Sequence, residues 1–455
     1  MRTRALLLLA VLPWAAQAGA DTDPPFQLMR FDENYAYLRD APQPFGWDDS
    51  IKYLPIGADA YLSLGGELRE RFDVFSSPRF GIQGTKSDSY LLQRVLFSAD
   101  LHVSSRFRIY TEVAREDEFG KRTAILPVDR NRENFQLLFA DFVPDDAGNF
   151  RIRLGRQEFI LNPTQRFVSA REGPNIRQSF DGGRLSWKRG PWSVDAFSFR
   201  PLLEQPNAFD DRGDPNALFS GLSVSRSLGS PARTLQAYWL AYDHFGARFG
   251  TTVGDERRRM LGMRYAQKEG SWDLDLEGLL QYGTFADTRI RAWGTGLDGG
   301  YTWRTPWEPR LGLRLDGASG GDLGRDVDVR TFNPLFPKGL NFDESLLTTY
   351  ANLLSIRPSV TLRPASTVSV QLSEAWRWRD DPHDALYLIP FVAVPTPLSD
   401  KARYVGQWSV LDTFWRPGRY WTFQGEYVHV VAGPAVTRAV GRSVDFLMLI
   451  AQFRF

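Results

Sequence analysis

The feature that most narrows the fold is a period-two alternation of apolar and polar residues that returns along most of the chain. Leu62, Leu64, Leu68 and Phe72 alternate with Glu67, Arg69, Arg71 and Asp73. Trp272, Leu274, Leu276 and Leu280 alternate with Asp273, Asp275, Glu277 and Gln281. Leu311, Leu313 and Leu315 alternate with Arg310, Gly312, Arg314 and Asp316. Successive side chains of a strand point to opposite sides of its sheet, so each segment has one apolar and one polar face. No stretch approaches the roughly 18 consecutive apolar residues that a helical membrane span requires. Eighteen segments carry strand character: 60–75, 89–102, 107–117, 133–143, 150–158, 180–188, 192–200, 218–226, 233–245, 257–268, 271–283, 289–303, 309–317, 354–363, 367–379, 402–415, 420–431 and 444–455.

The connections between these segments choose among all-β folds. Every second one is short: 103–106, 144–149, 189–191, 269–270, 304–308, 364–366 and 416–419. Those between are mostly longer: 76–88, 118–132, 159–179, 201–217, 246–256, 318–353, 380–401 and 432–443. Short periplasmic turns alternating with long extracellular loops are the pattern of outer-membrane barrels, and a sandwich or propeller has no reason to keep that parity. The expected fold is therefore all-β, a transmembrane antiparallel up-and-down barrel of about 18 strands over residues 59–455, with both termini in the periplasm. The chain holds 14 Trp among 14% aromatic residues. Trp187, Trp192, Trp239, Trp272, Trp376, Trp378, Trp415 and Trp421 lie near strand ends or on outward faces, and most read as belts at the two membrane interfaces, the alternative for some being stacking on sugar rings in the lumen.

The ends agree. Met1-Arg2-Thr3-Arg4, the apolar run Ala5 to Leu12, and small residues at Ala16-Gln17-Ala18 and Ala18-Gly19-Ala20 lay out a secretory signal peptide over residues 1–20. Residues 21–58 are expected as a short periplasmic segment that either tucks into the barrel mouth or stays loose, with Pro24-Pro25 and Asp48-Asp49-Ser50 arguing against a regular element. At the other end Leu447, Leu449, Ala451, Phe453 and Phe455 share one face. A last strand closing on an aromatic resembles the signal read by the barrel-assembly machinery of the Gram-negative outer membrane.

Removal of Arg2 and Arg4 with the signal peptide leaves 53 basic against 54 acidic residues. So neutral a chain implies neither nucleic acid nor an anionic surface as partner. The absence of cysteine rules out disulfides and thiolate chemistry.

Several segments together resemble the alginate export family of outer-membrane barrels. They are Tyr61-Leu-Ser-Leu-Gly-Gly-Glu67-Leu-Arg69-Glu-Arg71, Leu154-Gly-Arg156-Gln157-Glu158, Arg171-Glu-Gly-Pro-Asn-Ile-Arg177-Gln-Ser-Phe-Asp181-Gly182, Phe332-Asn-Pro-Leu-Phe336-Pro337 and Trp376-Arg377, with the closing aromatic strand. The similarity runs over about residues 35–455. It implies an eighteen-stranded, arginine-rich pore that lets a polyanionic polysaccharide leave the cell, with a possible periplasmic export partner. The expected function is an outer-membrane channel for anionic saccharides or polysaccharide. The alternative is a general or substrate-specific porin for uptake of small solutes.

The polar strand face supplies the candidate solute path. The chain has 48 Arg and 7 Lys, and many arginines fall on that face: Arg69, Arg71, Arg151, Arg153, Arg184, Arg264, Arg310, Arg314, Arg357, Arg363 and Arg377. A guanidinium matches carboxylate bidentately, and a ladder of modest sites suits transport better than one tight pocket. Glu67, Asp73, Asp195, Asp273, Asp275, Glu277 and Asp316 share the face, so the same arginines could equally pair into a network bracing the wall. The loop 159–179 carries Arg166, Arg171, Glu172 and Arg177, just before Asp181. It is either a constriction folded into the pore or an exposed surface loop, while the Gly- and Pro-rich loops 318–353 and 380–401 could form a lid. Asp322, Asp326 and Asp328 lack the regular spacing of a calcium loop, so no metal or cofactor is expected. His102, His244, His383 and His429 form no pair at ligand spacing, and no nucleophile elbow or phosphate loop occurs, so no enzyme activity is expected. His244 and His429 are the only candidates for a base assembled across strands.

Overall fold

The computed structural model describes residues 26–40, 46–57, 59–84, 86–205, 207–230, 232–321, 327–338, 341–389, 391–394 and 401–455. The signal-peptide segment lies outside the described residues. Eighteen strands form one closed antiparallel sheet. In chain order they are β1 Tyr61–Phe75, β2 Asp88–His102, β3 Phe107–Phe119, β4 Asn131–Phe142, β5 Phe150–Glu158, β6 Ser179–Arg189, β7 Trp192–Leu203, β8 Ala217–Ser227 and β9 Arg233–Phe249. Then follow β10 Thr252–Glu269, β11 Trp272–Phe285, β12 Thr288–Thr302, β13 Arg310–Ala318, β14 Leu353–Ala365, β15 Val368–Trp378, β16 Tyr404–Trp415, β17 Trp421–Ala432 and β18 Val444–Arg454. Each pairs with its neighbours in sequence, and β1 closes the ring on β18 with Glu67 opposite Arg454 and Phe75 opposite Phe446.

All eighteen strands fall where the alternation places them, with ends moved by a few residues. One connection differs in kind. The expected loop 246–256 is a tight hairpin, because β9 and β10 stay paired past a bulge at His244/Ala247 up to Phe249 opposite Thr252. Gly246 and Gly250, at φ of 66° and 60°, take the left-handed turns that this requires. Residues Ala286 and Asp287, at φ 44° and 67°, join β11 to β12 equally tightly.

The two faces of the wall separate as the alternation demands. On β13, Leu311, Leu313 and Leu315 are exposed outward, toward lipid in the membrane. On β11, Leu274, Leu276 and Leu280 face out while Glu277 and Gln281 are buried inside. Trp192, Trp272, Trp415 and Trp421 stand exposed beside the short turns, at the periplasmic rim.

The segment before the barrel sits in the periplasmic mouth. Phe31 packs edge-on against Tyr110 and Phe139 of the inner wall. Arg30 donates to the Phe455 carbonyl at 2.8 Å, Arg108 to the Phe31 carbonyl at 2.7 Å and Lys52 to the Leu64 carbonyl at 2.8 Å. Contrary to the sequence expectation, Asp49–Lys52 forms a helical turn. The aspartates there do not break structure because they are spent on contacts. The Tyr420 hydroxyl donates to Asp48 at 2.7 Å, the Gly46 N–H to Asp49 at 2.9 Å, and Arg419 stands 3.6 and 3.5 Å from the two carboxylates.

Placing Arg at Leu313 puts a charge on the lipid face of a mid-wall strand. The expected cost is about 2–4 kcal/mol in urea unfolding from bilayers, with folded protein still showing heat-modifiable gel migration. An unchanged midpoint would mean that this face is not in lipid.

Candidate functional site

The lumen is not an open bore. Two long loops enter it from the extracellular side: 159–178 between β5 and β6, and 319–352 between β13 and β14. Phe159, Leu161, Phe167 and Val168 of the first loop are buried, as are Phe332, Phe336, Phe342 and Tyr350 of the second. They pack against Phe197, Phe199, Phe219, Leu240, Met260 and Leu279 on the inner wall. Part of the inward face of β7 to β11 is therefore apolar, which the alternation did not suggest. An inserted loop must bury its own apolar side chains, and the wall supplies the matching surface. Val168 and Phe336 form a parallel bridge that joins the two loops. The loop 318–353 is thus an inner partition rather than the expected lid. The described part of 380–401 also packs inward, with Leu386, Leu388 and Val394 against Trp408, Val410, Val428, Val430 and Phe446.

Glycines in β12 make room for the insertion. A Cβ on Gly296 would lie 2.3 Å from Arg166 Nε, and one on Gly294 would lie 2.8 Å from the Phe332 ring. Glycine inside a strand marks such close approach.

Charged groups clamp the loops to the wall. Arg69 donates to the carbonyls of Glu172 at 2.6 Å and Pro174 at 2.9 Å. Arg71 bonds Asp73 at 2.9 Å, the Gly173 carbonyl at 3.0 Å and Glu344 at 2.5 Å, so it holds both loops. Arg94 lies 2.7 Å from both Glu67 and Glu172, and Arg454 lies 3.0 Å from Glu67. Arg177 reaches Glu158 at 2.7 Å, Glu172 at 2.8 Å and the Leu28 carbonyl at 3.1 Å, so the same guanidinium ties the loop to the N-terminal segment. Burial alone would raise the Glu172 carboxyl, but Arg177 and Arg94 hold it at about 2. On the other side, Arg166 bonds Glu277 and the Tyr350 hydroxyl, each at 3.1 Å. Tyr350 donates to Asp316 at 2.5 Å, and Arg314 bonds Asp316 at 2.9 Å. Arg377 pairs with Asp343 at 2.8 Å and stacks 4.1 Å over the Trp408 ring.

These contacts place most of the arginines singled out from sequence. Arg69, Arg71, Arg314 and Arg377 brace the loops. Arg153 pairs with Asp141 at 2.7 Å, Arg184 with Asp195 at 2.6 Å and Asp181 with Arg156 at 2.8 Å, all along the wall. Arg151 lines a cavity of about 630 Å³ at the periplasmic mouth with Arg106, Arg108 and Asp141. Arg363 is exposed at the periplasmic turn, 3.1 Å from Glu308, and so lies at the rim rather than in the lumen. Asp328 pairs with Arg289 and Arg291, while Asp322 and Asp326 lie outside the described residues. His429 points outward onto Asp445 at 2.8 Å, and His244 Nδ1 lies 3.3 Å from the Tyr242 hydroxyl.

Arg69, Arg171, Lys338 and Arg357 are lumen cations with no carboxylate within 4 Å among the described residues, and Arg69 is spent on the loop carbonyls. Arg357 reaches Ser373 at 3.0 Å and the Phe342 carbonyl. Arg171 is half-buried and lines a cavity of about 310 Å³ on the extracellular side of the partition, with Arg71, Asp73, Lys121 and the apolar Leu126, Val128 and Leu388. Its φ of 53° is the left-handed conformation that arginine seldom takes. Burial lowers both Arg171 and Lys338 from their usual values, so each favours an anion beside it. Sequence reading missed Lys338, Arg94, Arg454 and the acids Asp343 and Glu344. Arg94 and Arg454 were visible, since each sits on the face opposite the outward apolar residues of its strand; the loop residues carried no periodic signal.

A closed barrel of this size, with a charged lumen narrowed by inward loops, defines an outer-membrane channel. Residues 60–449 match the family model for alginate export, and the chain belongs to the alginate export family. Its place is the outer membrane of a Gram-negative bacterium. Comparison with curated protein sequences finds no match. Among solved structures the chain is similar to Pseudomonas aeruginosa OpdQ, with TM-score 0.58 and 11% identity over 87% of this chain and 98% of that one. It is similar to P. aeruginosa OccK2 (OpdF) in complex with glucuronate, with TM-score 0.57 and 12% identity over 89% and 99%. Acinetobacter baumannii OccAB1 gives TM-score 0.59 and 13% identity over 90% and 99%. At these identities the likeness carries the fold.

Glu172→Gln removes the carboxylate shared by Arg94, Arg177 and Arg454. It is expected to give unsteady bilayer currents at pH 7 and to cost about 1.5–3 kcal/mol. In the native chain the folded-state value is depressed, so its stabilisation is present above the ordinary carboxylate range. It is lost as pH falls toward about 2. Conductance should hold steady from pH 7 to about pH 4 and turn noisy only below that. Noise setting in near neutrality would mean that Glu172 does not anchor the loop.

Proposed function

We propose that this channel passes carboxylated saccharides, and that the selective step is at the partition where the two inward loops meet. The observation that carries the reading is Arg171. It is a guanidinium with no carboxylate within 4 Å among the described residues, Glu204 acting on it only from farther off, and it lines the extracellular cavity from the constricting loop. Lys338 and Arg357, on the second loop and the wall, likewise have no direct ion pair among the described residues. Most other lumen arginines are already paired, which leaves them as supports for these few. A sugar acid entering the cavity meets a planar donor fork for its carboxylate and apolar side chains for its ring. It also meets no site so complete that it would be trapped. The alginate export family and the glucuronate held by a structural neighbour both concern uronic acids, which supports this solute class.

The braced partition favours sugar acids and short oligomers in the resting state. A polymer needs both loops to swing aside, which would break the Glu172 and Asp316 clusters together. Membership of the alginate export family supports polymer export as the second reading, with a periplasmic partner or the polymer itself displacing the loops.

The test is the reversal potential of the purified channel in a planar bilayer under a KCl gradient, with glucuronate or oligouronate added. Anion preference and concentration-dependent block by both are expected. Arg171→Glu should abolish the block and shift the preference toward cations with assembly intact. A native channel blind to uronates would remove the proposal. Block by long oligomers without block by glucuronate would favour polymer export.

A further inference from the structure

The outer wall carries a second charged feature, unrelated to the lumen. On β9 to β12 the outward residues fall into aligned rungs. One rung runs Trp239, Leu261, Leu280 and Trp293. All four are exposed, while their inward neighbours Leu240, Met260, Leu279 and Ala292 are buried, so this rung faces lipid. One step toward the extracellular end the rung is Ala241, Arg259, Tyr282 and Arg291. The next is Asp243, Arg257, Thr284 and Arg289. Four arginines thus stand on the lipid side, directly above a Trp–Trp belt.

An outward arginine is expensive at the bilayer midplane and nearly free at the interface, so these rungs mark the headgroup layer. The arginines exceed their acids. Asp243 takes Arg259 at 2.7 Å, and Asp328 is shared by Arg289 and Arg291 at 3.0 and 3.5 Å. Arg257 has no ion pair among the described residues. The side chains of Arg289 and Arg291 remain 60% and 64% exposed despite Asp328. The next acids, Asp255 and Asp287, lie beyond, toward the hairpin tips, and Asp255 accepts from the Gly246 N–H at 3.2 Å. The arc β15 to β18 is different. On β15 to β18 the outward rung beyond Leu372, Leu411, Tyr427 and Leu447 is Glu374, Ser409, His429 and Asp445, with no arginine. The patch also lies under the two tightest extracellular connections, 250–251 and 286–287, and Asp328–Val329 of the long loop pairs beside Arg289 and Ile290 at its β12 edge.

We propose that β9 to β12 form a docking face for a phosphorylated glycolipid of the outer leaflet. Its phosphates are held by Arg257, Arg259, Arg289 and Arg291, and its acyl chains lie along Trp239, Leu261, Leu280 and Trp293. Guanidinium forks match phosphate bidentately, and the Tyr282 hydroxyl between Arg259 and Arg291 adds a neutral donor. The two short hairpins leave a bulky sugar headgroup room that longer loops would take.

The probe is lipid A in its 1,4′-bisphosphate and dephosphorylated forms, titrated against the detergent-solubilised full barrel by native mass spectrometry. The native protein is expected to retain the bisphosphate form well above the dephosphorylated one. Arg257→Ala, Arg289→Ala and Arg291→Ala together should weaken bisphosphate binding roughly 10- to 100-fold, with heat-modifiable migration unchanged. Equal retention of both lipid forms by the native barrel overturns the proposal whatever the variant does. So does undiminished binding by a folded triple variant, or full competition by inorganic phosphate at the lipid's own concentration.

Discussion

Everything in this molecule depends on ring closure. A strand in hydrocarbon has no water to satisfy its backbone, so each N–H and C=O must find a neighbouring strand. An open sheet would leave two bare edges, and pairing β1 with β18 removes both. Closure also separates two solvents. Outward positions meet lipid and become leucine, valine and tryptophan, while inward positions meet whatever the enclosed space contains. A barrel of eighteen strands encloses far more space than its wall side chains can fill. The inward loops and the seated N-terminal segment answer that excess.

Filling the lumen changes what its charges do. A wall guanidinium facing open water costs little and binds weakly. The same group facing a loop is desolvated and must be paired, and once paired it fixes the loop. Arg71 illustrates this, since it touches Asp73 on its own strand, a carbonyl on one loop and a carboxylate on the other. The network is shared, so the position of each loop depends on the other. The few cations left out of it, Arg171 foremost, are then the ones free to meet a passing solute.

The wall was legible in the sequence because lipid enforces a strict two-residue period. That is why the eighteen strands, the closing aromatic face and the rim tryptophans such as Trp272 and Trp421 could be placed. Inside, the enforcing medium changes along each strand. Phe197 and Phe199 face inward against Phe159 and Phe219 against Phe336, apolar because a loop lies there, and no local pattern announces partners so far along the chain. The hairpin at 250–251 resembles a longer loop in sequence, because Gly246, Gly250 and Gly254 have the composition of one. The strand glycines Gly294 and Gly296 were the one local clue to an inserted loop. Net charge was silent about both charged features, since the lumen pairs and the outer arginine rungs are balanced by acids elsewhere.

The contacts of Arg30 carry an implication about time. Its guanidinium donates to the Gly66 carbonyl at 3.2 Å and to the Phe455 carbonyl at 2.8 Å, and these two residues bond each other's backbones across the seam. One acceptor is made well before the other. The pair exists only after β1 and β18 have met. The segment that precedes β1 therefore has no complete seat until β18 arrives. Its docking reports that the ring is finished, and a barrel caught mid-assembly keeps its inner mouth unblocked.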